Sequence, residues 1–288
     1  MNAALAILAL AGSLVLPGLV PSAIAAPELI GGELAQPEQF PFVVNIRGCT
    51  ATKIADHEFL TAAHCFYSGP GDWQAPKMVS IDATEIAAPK QYLLTVKEVR
   101  LHPTWIENCR KHECTGNETG SRFDEPGKVD LAHVIVVEDT LEIPSIPVDF
   151  EPLGAGAAVT FAGYGCTGAI AGPGYGKLRF AANRIAIPEI LDHRKSLYRG
   201  IIEETAGSYW VTPGTAMDKS APALCPGDSG GPLLVRDGTS WKIAGIAADY
   251  TFKGKYERAG GVPMTNLHTR LDDESRHGIG AWIREFHR

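Results

Sequence analysis

Short runs of β-branched and aromatic residues, each broken within a few positions by Gly, Pro or Asp, fill most of the chain past residue 28. They are Phe42–Ile46, Phe59–Ala62, Tyr92–Val99, Leu131–Val136, Val159–Gly163, Lys177–Ile187, Pro232–Val235, Trp241–Ala247 and Met264–Thr269. Strands this short and this regularly punctuated predict an all-β barrel or sandwich, because a lone strand has no second layer against which to bury its apolar face. Helical periodicity is confined to the end, where Ile279, Trp282, Ile283 and Phe286 share one face and predict an amphipathic helix packed on the body. With 288 residues and 45% hydrophobic content, the chain can bury a core sized for one β unit or a pair of barrels. It carries no internal repeat.

Residues 3–20 are nearly continuous apolar, interrupted by Gly12, Pro17 and Gly18 and followed by the small residues Ala23, Ala25 and Ala26. This profile predicts a secretory signal peptide over residues 1–25, although its first residues lack Lys or Arg. The run is too short and too broken for a membrane anchor, and no second long apolar segment follows, so a soluble, exported protein is expected, extracellular or periplasmic. Six cysteines suit an oxidising compartment. They are widely scattered with no Cys-x-x-Cys pair, so neither a zinc site nor any other metal or cofactor is expected. The formal charge of −7 arises from 33 acidic and 26 basic residues with no basic run, which argues against nucleic acid and anionic membranes as partners.

Chemistry concentrates in three places: Thr61-Ala62-Ala63-His64-Cys65, then Asp130-Leu131-Ala132, then Gly227-Asp228-Ser229-Gly230-Gly231-Pro232. A serine hydroxyl is a poor nucleophile until an imidazole takes its proton. The imidazole in turn needs a carboxylate to fix its tautomer and stabilise its charged form. Glycines around the serine let backbone N–H groups face the oxygen of an attacked carbonyl. The order His, Asp, Ser and the flanking residues resemble the chymotrypsin-like (trypsin-fold) serine peptidases. Gly227-x-Ser229-x-Gly231 also fits the nucleophile elbow of α/β-hydrolases, but there the acid and the histidine follow the serine, and no strand–helix alternation follows Ser229. Asp124 is the rival acid; Asp130 is preferred because it opens the apolar run Leu131–Val136, similar to the strand after the family's catalytic aspartate.

The resemblance runs from Leu29 to the end and implies two antiparallel six-stranded β-barrels with a C-terminal helix and an active site in the cleft between them. The first barrel, 29–151, holds His64 and Asp130, and the second, 152–288, holds Ser229, with the N–H groups of Gly227 and Ser229 forming the oxyanion hole. Leu29-Ile30-Gly31-Gly32 resembles the activated N-terminus of the family, whose freed amino group pairs with the aspartate before the nucleophile, here Asp228. The expected zymogen segment is only residues 26–28, and Glu28 replaces the usual Arg or Lys before the cut. Cys49 and Cys65 match the family's bridge beside the histidine. Cys109 and Cys114 are close enough in sequence to close a local loop, which leaves Cys166 and Cys225 for each other; the usual downstream partner of Cys225 is missing. The long stretch 103–130, with the sequon Asn117-Glu118-Thr119, reads equally as a functional loop and as a tolerated insertion.

Trypsin-like members carry an aspartate six residues before the nucleophile, at the base of the primary specificity pocket; here that residue is Ala223. Tyr250 replaces a pocket-wall glycine in Gly245-Ile-Ala-Ala-Asp249-Tyr250, and Asn266 falls at another. The implied pocket is narrow and takes small or medium uncharged side chains, while Asp249 offers a carboxylate to a basic residue at a neighbouring subsite. Together these features imply a secreted monomeric serine endopeptidase acting on proteins or peptides and open to proteinaceous inhibitors. The alternative is a non-catalytic homologue acting as a binding protein, although no triad member is missing.

Overall fold

A computed structural model describes residues 29–36, 38–46, 48–66, 76–84, 89–112, 129–167, 174–186, 207–216, 221–252 and 262–287. In the first half, β2 (Val43–Ile46), β3 (Cys49–Ala55), β4 (Glu58–Thr61), β5 (Met78–Thr84), β6 (Pro89–Leu101) and β7 (Ala132–Val136) close into a barrel of order β2-β3-β4-β7-β6-β5. Its lumen is packed with alternate residues such as Val44, Ile46, Phe59, Ile81 and Val134.

The second half supplies β8 (Ala158–Gly163), β9 (Arg179–Arg184), β10 (Tyr209–Ala216), β11 (Pro232–Asp237), β12 (Ser240–Phe252) and β13 (Val262–Arg270). The N-terminal β1 (Glu33–Leu34) adds to their edge, giving a seven-stranded antiparallel sheet of order β1-β9-β8-β11-β12-β13-β10. No continuous ladder closes it among the described residues. The sheet curls until its far strands touch: Ala186 N–H donates to the Val211 carbonyl at 2.7 Å and Asn183 Nδ2 to the Pro213 carbonyl at 2.8 Å. Pro213 has no N–H to give a neighbouring strand, which suits β10 to an edge. The fold is thus mostly β, with one closed barrel and one barrel-like sheet.

Between the two halves lies a third core that includes Phe40, Leu60, Val148, Leu234 and Ile243, and the C-terminal helix α2 (Ile279–Phe286) seals it with Ile279 and Ile283. Burying a side chain of this size contributes about 1.5–3 kcal/mol. The two halves therefore hold each other as parts of one core.

Helix is not confined to the end of the chain. A ten-residue helix, α1 (Pro103–His112), follows β6. Pro103 occupies a first turn where an N–H would be unbonded anyway, and Trp105 is the buried anchor. The remaining residues are mostly polar, so sequence periodicity is silent there. Strands β3 and β10 also carry no run of the expected kind. In β3, the interior positions include Thr50, Thr52 and Lys53, and Lys53 Nζ donates to the carbonyls of Thr140 at 2.7 Å and Ile143 at 2.8 Å. In β10, Pro213-Gly214 reads as a turn.

Candidate active site

His64 lies in a short 3-10 turn, Ala63–Phe66, that leaves β4, and Asp130 lies just ahead of β7. Strands β4 and β7 pair, with Thr61 opposite Ala132, so the ladder itself brings the two residues together. The Asp130 carboxylate accepts the His64 backbone N–H at 3.0 Å through Oδ1 and approaches ring Nδ1 at 2.6 Å through Oδ2. A carboxylate only accepts, so the proton of this contact sits on Nδ1, and Nε2 is the ring nitrogen left with the basic lone pair. The carboxylate side chain is 7% exposed and the imidazole 23%, a geometry in which the acid is shielded and the base reaches solvent.

Ser229 arrives from the other half, in the turn after Cys225. Thr50 on β3 holds this turn against the first barrel. Its N–H donates to the Ser229 carbonyl at 2.8 Å, its Oγ1 donates to the Gly227 carbonyl at 2.9 Å, and its own carbonyl accepts Thr61 Oγ1 at 2.7 Å. Cys65 Sγ lies 3.8 Å from the Ser229 carbonyl, so the serine turn abuts the residue next to His64. Gly227 has φ +99°, and a Cβ there would meet the Gly165 backbone at 2.8 Å and the Tyr175 ring at 3.2 Å. Only glycine holds that turn without strain.

Asp228 is turned inward and 1% exposed. Gly163 and Gly165 form its cradle, since a Cβ at either would overlap the carboxylate. The N–H groups of Gly165 and Cys225 donate to it at 2.8 and 2.9 Å. Burial pushes its carboxyl up to about 7, against these two hydrogen bonds and the charge of Arg179. Arg179 is itself buried and pairs across β8–β9 with Gly163, which puts its side chain on the same face as that cradle. Leu29 and Ile30 are also buried, Ile30 packing with Cys225, and the Ile30 carbonyl accepts the Ala223 N–H at 2.8 Å. In the full-length chain the Leu29 nitrogen is an amide, and its φ of +103° is unusual for a residue with a side chain.

Ala223, Tyr250 and Asn266 converge beside this turn. Ala223 is fully buried with Ile30, Cys166 and Cys225, and the Tyr250 ring packs on that group. Burial, followed by the charge of Asp249 and the neighbouring Tyr175, pushes the Tyr250 phenol up to about 12. Asn266 stands opposite Tyr250 in the β12–β13 pair. It is wholly committed: Oδ1 accepts the Leu224 N–H at 2.9 Å, and Nδ2 donates to Thr212 Oγ1 and the Pro222 carbonyl, both at 3.1 Å. Asp249 is exposed.

Disulfides join Cys49 to Cys65 and Cys166 to Cys225, with Cα separations of 6.2 and 5.4 Å. Cys49, His64 and Cys65 cluster within 4.8 Å, but both sulfurs are consumed in the bridge and offer no thiolate to a metal. The Cys109 side chain, Cys114, Asn117, Asp124 and Glu28 lie outside the described residues. Thr50, Arg179 and Tyr175 carry no sequence motif, because their roles depend on contacts distant in the chain, as with the separation of 177 between Thr50 and Gly227. Against known proteins, a family model described as Trypsin matches residues 29–261. Strand β13 and helix α2 complete the same sheet and core beyond that match.

Proposed function

The chain belongs to the trypsin family of serine peptidases, and on that premise we propose that it is an active, secreted endopeptidase with Ser229 as nucleophile. His64 Nε2 takes the Ser229 proton as Oγ bonds to the substrate carbonyl carbon, and returns it to the departing amine as the C–N bond breaks. A water, deprotonated by the same nitrogen, then bonds to the acyl carbon, and that proton passes to Ser229 Oγ as the ester bond breaks. Asp130 holds the tautomer and stabilises the imidazolium, and the N–H groups of Gly227 and Ser229 receive the developing oxyanion. The observation that carries this reading is the double grip of the Asp130 carboxylate on the His64 backbone and ring.

The buried Asp228 carboxyl supports maturation at Leu29. A freed amino group there would add a positive charge to that of Arg179, and the cut would remove the φ constraint at Leu29. Two disulfides support an oxidising compartment and the signal peptide over residues 1–25. No described helix is long and apolar enough to cross a membrane. Barrel units of 29–151 and 152–288, a monomeric state and susceptibility to protein inhibitors complete the proposal.

For specificity, the uncharged Ala223 base and the Tyr250 ring packed upon it favour cleavage after small or medium uncharged residues. The test is hydrolysis of a mixed peptide library by the protein starting at Leu29, beside its Ser229→Ala variant. Cleavage by the first and none by the second supports the reading; no cleavage by either supports a binding protein.

A further inference from the structure

Asp130 belongs to the first barrel, yet its main chain is held from the second sheet. Thr269 Oγ1, on β13, donates to the Asp130 carbonyl at 3.1 Å in a buried contact. The Asp130 backbone also hydrogen-bonds to the phenol of Tyr209, on β10. Tyr209 and Thr269 stand directly opposite each other in the β10–β13 pair, so their side chains share one face. Burial, then the charges of Asp130 and Asp249, push the Tyr209 phenol well above its ordinary range, so it stays a neutral hydroxyl. The carboxylate that orients His64 therefore springs from a residue whose main chain is held on both sides, its carbonyl accepting from Thr269 and its N–H donating to the Tyr209 phenol oxygen.

We propose that Tyr209 and Thr269 act as positioning residues that set the Asp130 carboxylate against His64 across the interface of the two halves. The inference rests on the triad reading above. Loss of either hydroxyl lets the Asp130 backbone shift, and a misplacement of about 1 Å in such a group costs up to about 100-fold in rate. The loss must pass through Asp130, which distinguishes positioning from a general weakening of the fold.

The experiment is a double-mutant cycle on the protein starting at Leu29, with an activated ester as substrate so that weak variants stay measurable. Tyr209→Phe should lower kcat about 10- to 100-fold with KM little changed. It should also shift the acidic limb of the pH profile downward, because a displaced carboxylate stabilises the imidazolium less. In an Asp130→Asn background the same substitution should cost under about 3-fold. Thr269→Val should repeat the pattern and Thr269→Ser restore it, and this pair carries the cycle if Tyr209→Phe does not fold. An equal loss in both backgrounds, or no loss in the wild type, overturns the proposal. Full activity of Asp130→Asn alone would instead overturn the triad assignment, a separate outcome.

Discussion

Cutting the chain before Leu29 should change how its stability depends on pH, and Asp228 sets the size of the change. In the full-length chain burial pushes this carboxyl from 3.8 up to about 7. A folded-state pKa above the unfolded one means that the folded protein binds the proton more tightly. That stabilisation is complete below about pH 4 and is lost as pH rises through about 7. The gap corresponds to an upper limit of about 4 kcal/mol at about 1.4 kcal/mol per unit. An α-amino group delivered by the cut would pair with the carboxylate and remove the loss. It would also release the left-handed φ at Leu29, a strain of about 1–3 kcal/mol. The assay is guanidinium unfolding from pH 4 to 8 of two Ser229→Ala proteins, one with residues 26–28 attached and one starting at Leu29. Taking their difference cancels the other titrating groups. The longer form should lose about 2–4 kcal/mol relative to the shorter across that range. Parallel curves would refute the reasoning, because the amine would then not reach Asp228.

Asp130→Asn should cost about 10⁴-fold in kcat through the wrong imidazole tautomer, measured with a chromogenic ester; if Asp124→Asn abolished activity instead, the acid would be misassigned. Replacing Cys166 and Cys225 by Ser, which opens a bridge of sequence separation 59, should destabilise the fold by about 4 kcal/mol in chemical denaturation. Non-reducing peptide mapping should recover Cys49–Cys65, Cys166–Cys225 and Cys109–Cys114; a Cys114–Cys166 link would contradict the last two. A peptide-library digest should show cleavage after small or medium uncharged residues. Tyr250→Gly should raise kcat/KM for larger ones by about 10-fold or more, whereas dominant cleavage after Arg or Lys by the wild type would overturn the pocket assignment.

Sequence made the β-rich architecture legible wherever a strand is a short unbroken apolar run, as in β7 and β11, and the helix α2 wherever its stripe recurs. It was silent where tertiary context overrides local pattern. Strand β3 buries Thr50, Thr52 and Lys53, which read as a polar segment until the carbonyls of Thr140 and Ile143 are seen to satisfy the ammonium. Strand β10 contains Pro213-Gly214, a turn signal tolerated at a sheet edge. At the site, His64, Asp130 and Ser229 were legible because their neighbours form motifs. Thr50, Tyr209 and Thr269 were not, since a single hydroxyl gains meaning only from the distant backbone it holds. The closed ladder of the first barrel and the curl of the second sheet are likewise a matter of register, which no short run of residues encodes.

Reaction with a fluorophosphonate probe tests the central claim, an activated Ser229, without any knowledge of the substrate. The protein starting at Leu29 should take up about one probe per chain on Ser229, as located by peptide mass, while Ser229→Ala and His64→Ala should label at least about 1000-fold more slowly. Labelling that survives Ser229→Ala, or an unreactive wild type with an intact fold, would contradict the account.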